Sequence, residues 1–264
     1  MYNFDYHRPN TVAEAREIFA RAEDPLYLAG GQTIIPTLKQ RLRRPTDVID
    51  LAGIDGLRGI AGRADSVTIG AMTTHAEIAA SADVRRMIPM LSHLAGEIGD
   101  PAVRELGTLG GALANSDPAA DYPAALLALG ASIHTVDRSI PADDFFTGLF
   151  ETALAPGEVI LKVAFPVPKR AAYQKFRNPA SRYAIVGVCV AEAAHGVRVG
   201  VTGAGPYAFR QRDMETALTA SFQPDALAGI SISDEDLNSD LHATPAYRAH
   251  LIGVMAARAV SAIA

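Results

Sequence analysis

Two pairs of adjacent glycines, Gly30-Gly31 and Gly110-Gly111, constrain this chain more than any other feature of its sequence. A glycine adopts a positive φ without strain and has no Cβ, so its backbone N–H can approach a ligand oxygen closely. Each pair follows apolar residues and stands beside small polar ones, and either pair alone is typical of a tight turn. The two pairs together indicate a long ligand that is held from two sides at a domain junction.

The second glycine pair precedes a predicted helix. Pro118 suits the first helical position after an N-cap at Ser116 or Asp117, and Gly130 is a natural end for this helix. Because Asp117 already places a carboxylate at the helix N-terminus, we do not expect an anion to bind at the helix end itself. We expect the anion to bind to the amides of Gly110-Gly111 and to the polar side chains nearby.

The first 50 or so residues alternate between strand and helix patterns. Thr11 and Glu14 form a capping box at the start of a helix, and residues 26–29 and 47–51 are predicted strands. The basic run at 39–44 favours a solvated helix face over a phosphate site. The pattern therefore predicts a small β-α-β-α-β unit with a glycine loop at the end of its central strand.

The middle of the chain begins with a hairpin pattern at residues 56–71, two alternating segments around a Gly-Arg-Ala-Asp turn. Thr74 and Glu77 then form a second capping box. His75, inside this box, is predicted to be a surface or packing residue, because no other ligand type stands at metal-binding spacing from it. Further predicted elements are a helix that begins at Pro89, strands at 131–136 and 159–165, and a boundary at 166–170.

The last third of the chain predicts a three-stranded antiparallel sheet followed by two helices. The predicted strands are 172–176, 184–191 and 197–201, with a turn at His195-Gly196, and the helices lie near 214–220 and 247–263. Cys189 falls inside an apolar strand, which favours a buried, unreactive thiol over a nucleophile.

A competing motif occurs at residues 203–208, where GAGPYA satisfies the dinucleotide pattern G-x-G-x-x-A and Asp225 follows about twenty residues later. Only about sixty residues follow the motif, which is too few for the further βαβ units that a doubly wound nucleotide domain requires. We therefore expect this segment to be an ordinary loop.

Composition excludes several classes of function. The chain has 264 residues, 49% of them apolar, and a net charge of -5, which gives no electrostatic case for binding nucleic acid. A single cysteine excludes an internal disulfide and a cysteine-ligated iron–sulfur cluster held by this chain alone. No segment has the pattern of a signal peptide or a membrane span, so we expect a cytoplasmic protein. The nucleophile, zinc-protease and P-loop motifs G-x-S-x-G, H-E-x-x-H and G-x-x-x-x-G-K-[ST] are also absent.

Four ordered motifs resemble one known family across essentially the whole chain. They are LAGGQTIIPTLKQRLRRPTDVIDL, TIGAMTTHAEI, GTLGGALANSDPAADYPAALLALGA and KFRNPASRYAIVGV. The resemblance is to the FAD-binding medium subunits of the molybdenum hydroxylases, the family of xanthine dehydrogenase and aerobic carbon monoxide dehydrogenase. It implies an α+β chain with a two-subdomain FAD-binding fold of the vanillyl-alcohol-oxidase type and a C-terminal domain of a three-stranded antiparallel sheet and helices. The implied boundaries are 1–55, 56–168 and 169–264.

The resemblance also implies a set of cofactor-binding positions, without a catalytic side chain or a metal ligand. These are Leu28, Ala29, Gly30, Gly31, Gln32, Thr33, Ile34 and Ile35 in the first motif, Ile98, Thr108, Leu109, Gly110, Gly111, Ala112, Asn115, Asp117 and Asp121 in the middle of the chain, and Leu161, Arg177 and Tyr183 further on. Asn115, Asp117 and Asp121 match an N-x-D-P-x-x-D pattern. Many relatives carry an aspartate just before the tyrosine, where this chain has Arg182.

In this family the work is divided among three subunits, which implies partners for this chain. A large subunit carries the molybdenum cofactor, a small one carries 2Fe–2S clusters, and the flavin passes electrons to NAD, oxygen or a quinone. A dimer of heterotrimers is the implied assembly. Two alternatives stay open at this point: a free-standing flavin oxidase, and a noncatalytic nucleotide-binding assembly subunit.

Overall fold

The structure is a computed structural model that describes residues 1–193 and 196–264. Its strands are β1 (Asp5–His7), β2 (Pro25–Leu28), β3 (Asp47–Asp50), β4 (Ile60–Gly62), β5 (Ser66–Gly70), β6 (Ser132–Thr135), β7 (Ser139–Pro141), β8 (Phe146–Gly148), β9 (Glu151–Thr152), β10 (Ile160–Pro166), β11 (Arg170–Arg177), β12 (Ala184–Ala193), β13 (Gly196–Thr202) and β14 (Phe209–Arg210). Its helices are α1 (Val12–Arg21), α2 (Ile34–Lys39), α3 (His75–Ala80), α4 (Ala82–Met87), α5 (Pro89–Gly96), α6 (Pro101–Leu106), α7 (Leu109–Asn115), α8 (Tyr122–Leu129), α9 (Arg212–Ala220) and α10 (Pro245–Ser261). The predicted α+β class is confirmed.

The first sheet is parallel, with the order β1-β3-β2. The predicted capping box at α1 is only half formed: Thr11 Oγ1 accepts a hydrogen bond from the Glu14 amide over 3.1 Å, but the Glu14 carboxylate accepts from the Asn10 amide and not from that of Thr11. The strand that leads into the first glycine pair, β2, is second in sequence but lies at the edge of the sheet. The chain that leaves β2 is therefore not covered by a neighbouring strand on its outer side.

The second sheet is antiparallel, with the order β4-β5-β10-β6-β7, and α3 to α8 pack around it. Every residue of α8 is buried, because this helix lies between the second sheet and the C-terminal sheet. A helix buried on all sides needs apolar residues all round, and the sequence YPAALLAL provides them. The core that results includes Ile69, Leu91, Leu94, Leu113, Leu126 and Phe165, all fully buried.

The predicted beginning of α8 is wrong. The helix begins at Tyr122 and not at Pro118, and neither Ser116 nor Asp117 caps it. The Asp117 carboxylate accepts a hydrogen bond from the Ala119 amide over 2.9 Å, which closes a local turn. The carbonyl groups of the same segment bond the C-terminal domain, for example Pro118 O with the Gly203 amide at 2.7 Å. These bonds hold the segment outside the helix.

The C-terminal sheet is antiparallel, with the order β11-β12-β13-β14, and α10 packs against it. The three predicted strands are present, and the sequence missed the two-residue edge strand β14. Cys189 is fully buried in β12, as expected for an unreactive thiol. The predicted turn at His195-Gly196 includes His195, which lies outside the described residues.

The dinucleotide motif at residues 203–208 does not open a helix. Gly203 turns the chain with φ +81, and the next regular element is the antiparallel strand β14. A dinucleotide fingerprint requires a parallel strand, a glycine turn and then a helix. The expectation that this segment is an ordinary loop is confirmed.

Candidate functional site

A cavity of about 690 Å³ lies where the first sheet, the second sheet and the β11–β12 loop meet. Its wall contains both glycine pairs, the polar stretch after α7 and the end of the β11–β12 loop. It is the candidate binding site, because a large cleft at a junction with a few convergent polar groups is the usual place for a cofactor.

The first glycine pair forms an open backbone loop between β2 and α2. Gly31 has φ +71, and the Gln32 side chain donates to the Gly30 carbonyl over 3.1 Å, which holds the turn. Within the described residues, the amides of Gly31, Gln32 and Thr33 donate to no protein acceptor. Successive free amides around a residue of positive φ make a concave site for anions. The first glycine pair therefore has the backbone geometry of an anion cradle, although the cradle was predicted at Gly110-Gly111.

The second glycine pair does not form such a loop, so the predicted cradle at Gly110-Gly111 is wrong. Both glycines lie in the first turn of α7, and neither has a positive φ. Gly110 N donates to Ala71 O over 2.8 Å, and Gly111 N donates to the N-cap side chain Thr108 Oγ1 over 3.2 Å. Because these amides already have acceptors, they are not free for a ligand.

Close packing explains the glycines of this second region. A Cβ on Gly110 would lie 2.6 Å from the Ala71 Cβ, and a Cβ on Gly111 would lie 3.3 Å from the Ala29 Cβ. A Cβ on Gly30 would overlap the carbonyl oxygen of Leu106, just before the same helix. The two glycine regions therefore touch, and together they form the floor of the cavity.

The end of α7 and the polar stretch after it line the cavity with Asn115, Asp117 and Asp121. Burial raises the pKa of Asp117 above its ordinary value. Asp121 Oδ1 accepts hydrogen bonds from Tyr173 Oη at 2.5 Å and from Lys175 Nζ at 2.9 Å. Both donors come from β11, so this buried carboxylate joins the cavity wall to the C-terminal sheet.

The β11–β12 loop covers one end of the cavity. Asn178 Oδ1 accepts from the Ala180 and Ser181 amides at 2.9 and 3.2 Å, which shapes the loop. Arg182 has φ +64, and its Nη1 donates to the Gly99 carbonyl across the cavity rim over 3.1 Å. Tyr183, 44% exposed, lines the cavity beside it.

His75 is a buried packing residue, one of the two alternatives that the sequence left open, and it also lines the cavity. It begins α3, is 4% exposed and lines the cavity, and its amide donates to Gly107 O over 2.9 Å. Its Nδ1 lies 3.2 Å from Tyr122 Oη. Burial lowers its pKa to about 4, so the ring is neutral at pH 7. The capping box located the start of the helix but carried no signal that this side chain faces a cavity.

An apolar end of the cavity also escaped prediction. Its residues come from distant parts of the chain: Phe19, Tyr27, Leu51, Leu57, Leu154 and Val159. The rings of Phe19 and Tyr27 stack with their centroids 4.8 Å apart. Arg43, from the basic run that was predicted to be a solvated face, also lines the cavity. No local pattern distinguishes these residues from ordinary core or surface residues.

Most of the positions implied by the resemblance line the cavity. They are Ala29, Gly30, Gly31, Gln32, Thr33, Ile34, Ile98, Thr108, Gly110, Gly111, Ala112, Asn115, Asp117, Asp121 and Tyr183. The other five do not form its wall. Leu28 and Ile35 lie against the back of Gly31, Leu109 is fully buried in the core, and Leu161 packs behind the first sheet. Arg177 is largely exposed and pairs with Glu97 over 2.9 Å.

No group of three or more histidine, cysteine, aspartate or glutamate side chains in residues 1–193 and 196–264 could hold a metal ion. No helix in the same residues is both long and apolar enough to cross a bilayer.

Two family models match consecutive parts of the chain. The FAD binding domain in molybdopterin dehydrogenase matches residues 2–168, and the CO dehydrogenase flavoprotein C-terminal domain matches residues 171–263. The carbon monoxide dehydrogenase medium chain of Hydrogenophaga pseudoflava is 33% identical and covers 98% of this chain and 96% of its own. The nicotine 6-hydroxylase medium subunit of Paenarthrobacter nicotinovorans is also 33% identical, with 97% and 95% covered.

Solved structures of related proteins have the same fold. A chain of reconstituted CO dehydrogenase from Oligotropha carboxidovorans superposes with a TM-score of 0.91 at 31% identity, covering 98% of this chain and 96% of that one. A chain of quinoline 2-oxidoreductase from Pseudomonas putida 86 gives a TM-score of 0.87 at 26% identity, with the same coverage.

Proposed function

Because the chain belongs to the family of FAD-binding medium subunits of the molybdopterin dehydrogenases, we propose that it passes electrons from a partner subunit through FAD to a final acceptor. It is an FAD-binding oxidoreductase subunit. In the proposed complex a large subunit carries the molybdenum cofactor and a small subunit carries 2Fe–2S clusters, in a dimer of heterotrimers. The relatives that are named medium chain or medium subunit support such partners.

The observation that carries the proposal is the open glycine loop. Its amides at Gly31, Gln32 and Thr33 have no protein acceptor among the described residues, and a diphosphate needs such donors. The cavity of about 690 Å³ has room for a large cofactor, with an apolar end and a polar end. The residues present therefore fit FAD.

We assign the binding of FAD to the predicted positions that line the cavity. The loop around Gly31 would hold the diphosphate, and Tyr183 would cover part of the flavin. FAD supplies the redox chemistry itself when it is bound, so the chain needs to bind, orient and shield it. The five positions outside the wall would act by supporting these residues. Leu28 and Ile35, for example, lie directly behind Gly31.

The proposed division of the chain into domains follows from which segments supply residues to the cavity. Residues 1–55 and 56–168 would be the two FAD-binding subdomains, since they supply the open loop and the second glycine region. Residues 169–264 would form the C-terminal domain, which reaches the cavity through the loop that carries Arg182 and Tyr183. A cytoplasmic location and an acceptor drawn from NAD, oxygen or a quinone complete the proposal.

The first experiment tests the cofactor and its attachment. We expect the purified chain to carry yellow FAD that acid or heat denaturation releases into the supernatant, where chromatography distinguishes FAD from FMN. Among the described residues, the histidine of the cavity wall is His75, which lies beside the glycine regions and is hydrogen-bonded to Tyr122, and Cys189 is buried outside the cavity, which is why release is expected. Colour that stays with the precipitated polypeptide, or released FMN, would contradict the proposal.

The second experiment tests the source of the electrons. The isolated FAD-loaded chain should keep an oxidised absorption spectrum when candidate organic substrates are added. The reconstituted three-subunit complex should lose its flavin absorbance with the substrate of the complex. Rapid bleaching of the isolated chain would show that it oxidises a substrate directly, as a free-standing flavin oxidase does.

A further inference from the structure

His75 and Tyr122 form a buried pair at the back of the cavity, between the two glycine regions. His75 is 4% exposed and Tyr122 is 1% exposed. The His75 backbone is held at α3 by the Gly107 carbonyl, and the Thr74–Thr108 bridge lies beside it. The burial of both side chains and the hydrogen bond between them leave the imidazole little freedom to move.

The imidazole edge packs against Gly107, which in turn packs against Gly30 of the open glycine loop. A Cβ on Gly107 would lie 2.8 Å from His75 Nε2, and Gly107 Cα is 2.8 Å from a Cβ placed on Gly30. One glycine residue therefore separates the imidazole edge from the loop that offers its free amides. Among the described residues, His75 Nε2 has no hydrogen-bond partner, although the residue lines the cavity.

The hydrogen bond to Tyr122 decides which ring nitrogen of His75 carries the proton. In one arrangement His75 Nδ1–H donates to Tyr122 Oη, which leaves the buried tyrosine hydrogen without an acceptor in the described structure. In the other arrangement Tyr122 O–H donates to His75 Nδ1, and the ring proton is on Nε2, where the cavity can supply an acceptor. Both residues line the cavity, but Tyr122 is the more buried, 1% against 4% exposed, so a hydroxyl hydrogen left without an acceptor costs more there and the second arrangement is favoured.

The ring is also neutral at pH 7. Burial, assisted by the nearby positive charge of Arg104, lowers the pKa of His75 to about 4. The residue therefore offers one fixed N–H donor and no net charge.

We propose that His75 is a further cofactor-binding residue, which donates its Nε2–H to a diphosphate oxygen of the bound dinucleotide, and that Tyr122 is a positioning residue that sets the tautomer. The inference rests on the proposed binding of FAD in this cavity. It adds a side-chain donor from the same cavity wall to the three backbone donors of the glycine loop.

The tautomer is tested in the cofactor-free chain by NMR. Histidine labelled with 15N in the full-length chain gives long-range proton–nitrogen correlations that identify the protonated ring nitrogen. We expect Nε2–H for His75 in the wild type, and loss of this preference in Tyr122→Phe. A wild-type ring that is protonated at Nδ1 would overturn the proposal before any cofactor is added.

The contact is tested by titrating two variants with FAD. Each substitution places an amide nitrogen near the position of one of the two ring nitrogens. Glutamine places its amide nitrogen near the position of Nε2, whereas asparagine places it near Nδ1. His75→Gln should bind FAD within about threefold of the wild type, and His75→Asn about tenfold or more weakly, as expected for one hydrogen bond to an anion. The control is His93→Asn, on the exposed face of α5, which should leave the affinity unchanged.

A titration with ADP identifies the part of the cofactor that His75 contacts. ADP carries the diphosphate without the flavin, so His75→Asn should weaken ADP as much as FAD and leave riboflavin unaffected. Thermal melting of each apoprotein shows that the variants are folded, and His75→Gln supplies the folded comparison if His75→Asn is unstable. If the wild type binds FAD and His75→Asn binds it with the same affinity, the inference about His75 is wrong and the proposed function still stands. Failure of the wild type to bind FAD would instead overturn the proposed function.

Discussion

The two glycine regions have the same dipeptide but different backbone chemistry. In the first, Gly31 adopts a positive φ and its neighbours keep their amides free of protein acceptors within the described chain. In the second, Thr108 caps a helix, and the amides of Gly110 and Gly111 are both occupied. A glycine pair therefore does not by itself specify an anion cradle. An N-cap residue two positions before the pair, Thr108, places these amides in the first turn of a helix.

The comparison also shows how the two regions depend on one another. Gly30 packs against the backbone of Leu106 and Gly107, and Gly111 packs against Ala29. The second region therefore supports the first, and the two can pack this closely only because glycines, which have no side chain, stand at the contacts. If this is correct, substitutions in the two regions should separate effects on folding from effects on FAD.

The largest expected effect is that of Gly30→Ala. The added Cβ would overlap Leu106 O and lie 2.8 Å from Gly107 Cα, and these backbone atoms cannot rotate away as a side chain can. We expect the free energy of unfolding, measured by urea denaturation, to fall by about 3 kcal/mol or more.

Gly253→Ala is the matched control for this substitution. It lies in α10 with nothing within 4 Å of an added Cβ, and it should be neutral or stabilising by about 0.5–1 kcal/mol. If Gly30→Ala unfolds with the same free energy as the wild type, Gly30 does not pack closely against Leu106 and Gly107.

The contrast between the regions shows where sequence reasoning succeeds and where it stops. Local patterns predicted the N-cap at Thr11, the capping box at Thr74, the C-terminal strands and the glycine loop after β2, because each depends on residues close in sequence. The beginning of α8 was missed because Pro118 is held by bonds to the C-terminal sheet, a partner some eighty residues away. Such long-range bonds override local helix signals.

The same limit applies to the cavity. His75 was assigned to the surface or to packing because its immediate neighbours describe only a helix start. Its true environment is made by Gly107 and Tyr122, which are distant in sequence. The resemblance to a family supplied most of the cavity wall, but the occupied amides of Gly110 and Gly111 could be recognised only in three dimensions.

His75 is held in place by the second glycine region. It should make the free energy of unfolding depend on pH by an amount similar to the loss expected for Gly30→Ala. Its folded pKa is about 4 instead of the ordinary 6.5, so between these pH values the unfolded chain binds a proton that the folded chain refuses. The stability from neutral His75 is therefore complete above pH 6.5 and is lost as the pH falls to 4. A difference of 2.5 pH units corresponds to about 3 kcal/mol.

This loss is measured as a difference between two chains. The gap in unfolding free energy between the wild type and His75→Gln should change by about 3 kcal/mol between pH 7 and pH 4, because glutamine does not titrate. Carboxylates titrate in both chains, and their contribution cancels. Parallel pH profiles for the two chains would show that His75 is not buried in a neutral form.

Gly31→Ala should separate binding from folding. An alanine at φ +71 is strained by about 1–2 kcal/mol, and its Cβ would lie 2.6 Å from the flexible Ile35 side chain. Relief of this strain moves the loop out of the conformation that directs its amides into the cavity. We expect the Kd for FAD to rise about tenfold or more in a fluorescence titration, with a loss of stability of about 1 kcal/mol.

Gly229→Ala is the control for strain alone. Gly229 also has a positive φ, +83, and an added Cβ meets nothing within 4 Å, so the backbone penalty should be similar. Its stability should fall by a comparable amount while the affinity for FAD stays at the wild-type value. If both variants bind FAD equally well, the loop at Gly31 is a tight turn and not a cradle.

The smallest effect is expected for Gly111→Ala, although the sequence alone suggested a cradle there. The Gly111 amide already donates to Thr108, and an added Cβ would lie 2.9 Å from Thr108 Oγ1 and 3.3 Å from the Ala29 Cβ, so shifts of a few tenths of an ångström are needed. The better helix propensity of alanine, up to about 1 kcal/mol, offsets this crowding. We expect stability within about 1 kcal/mol of the wild type and FAD affinity within about threefold, measured in the same titration as Gly31→Ala. A loss of affinity as large as that of Gly31→Ala, at unchanged stability, would mean that the second glycine region also contacts the diphosphate and that the two regions are alike.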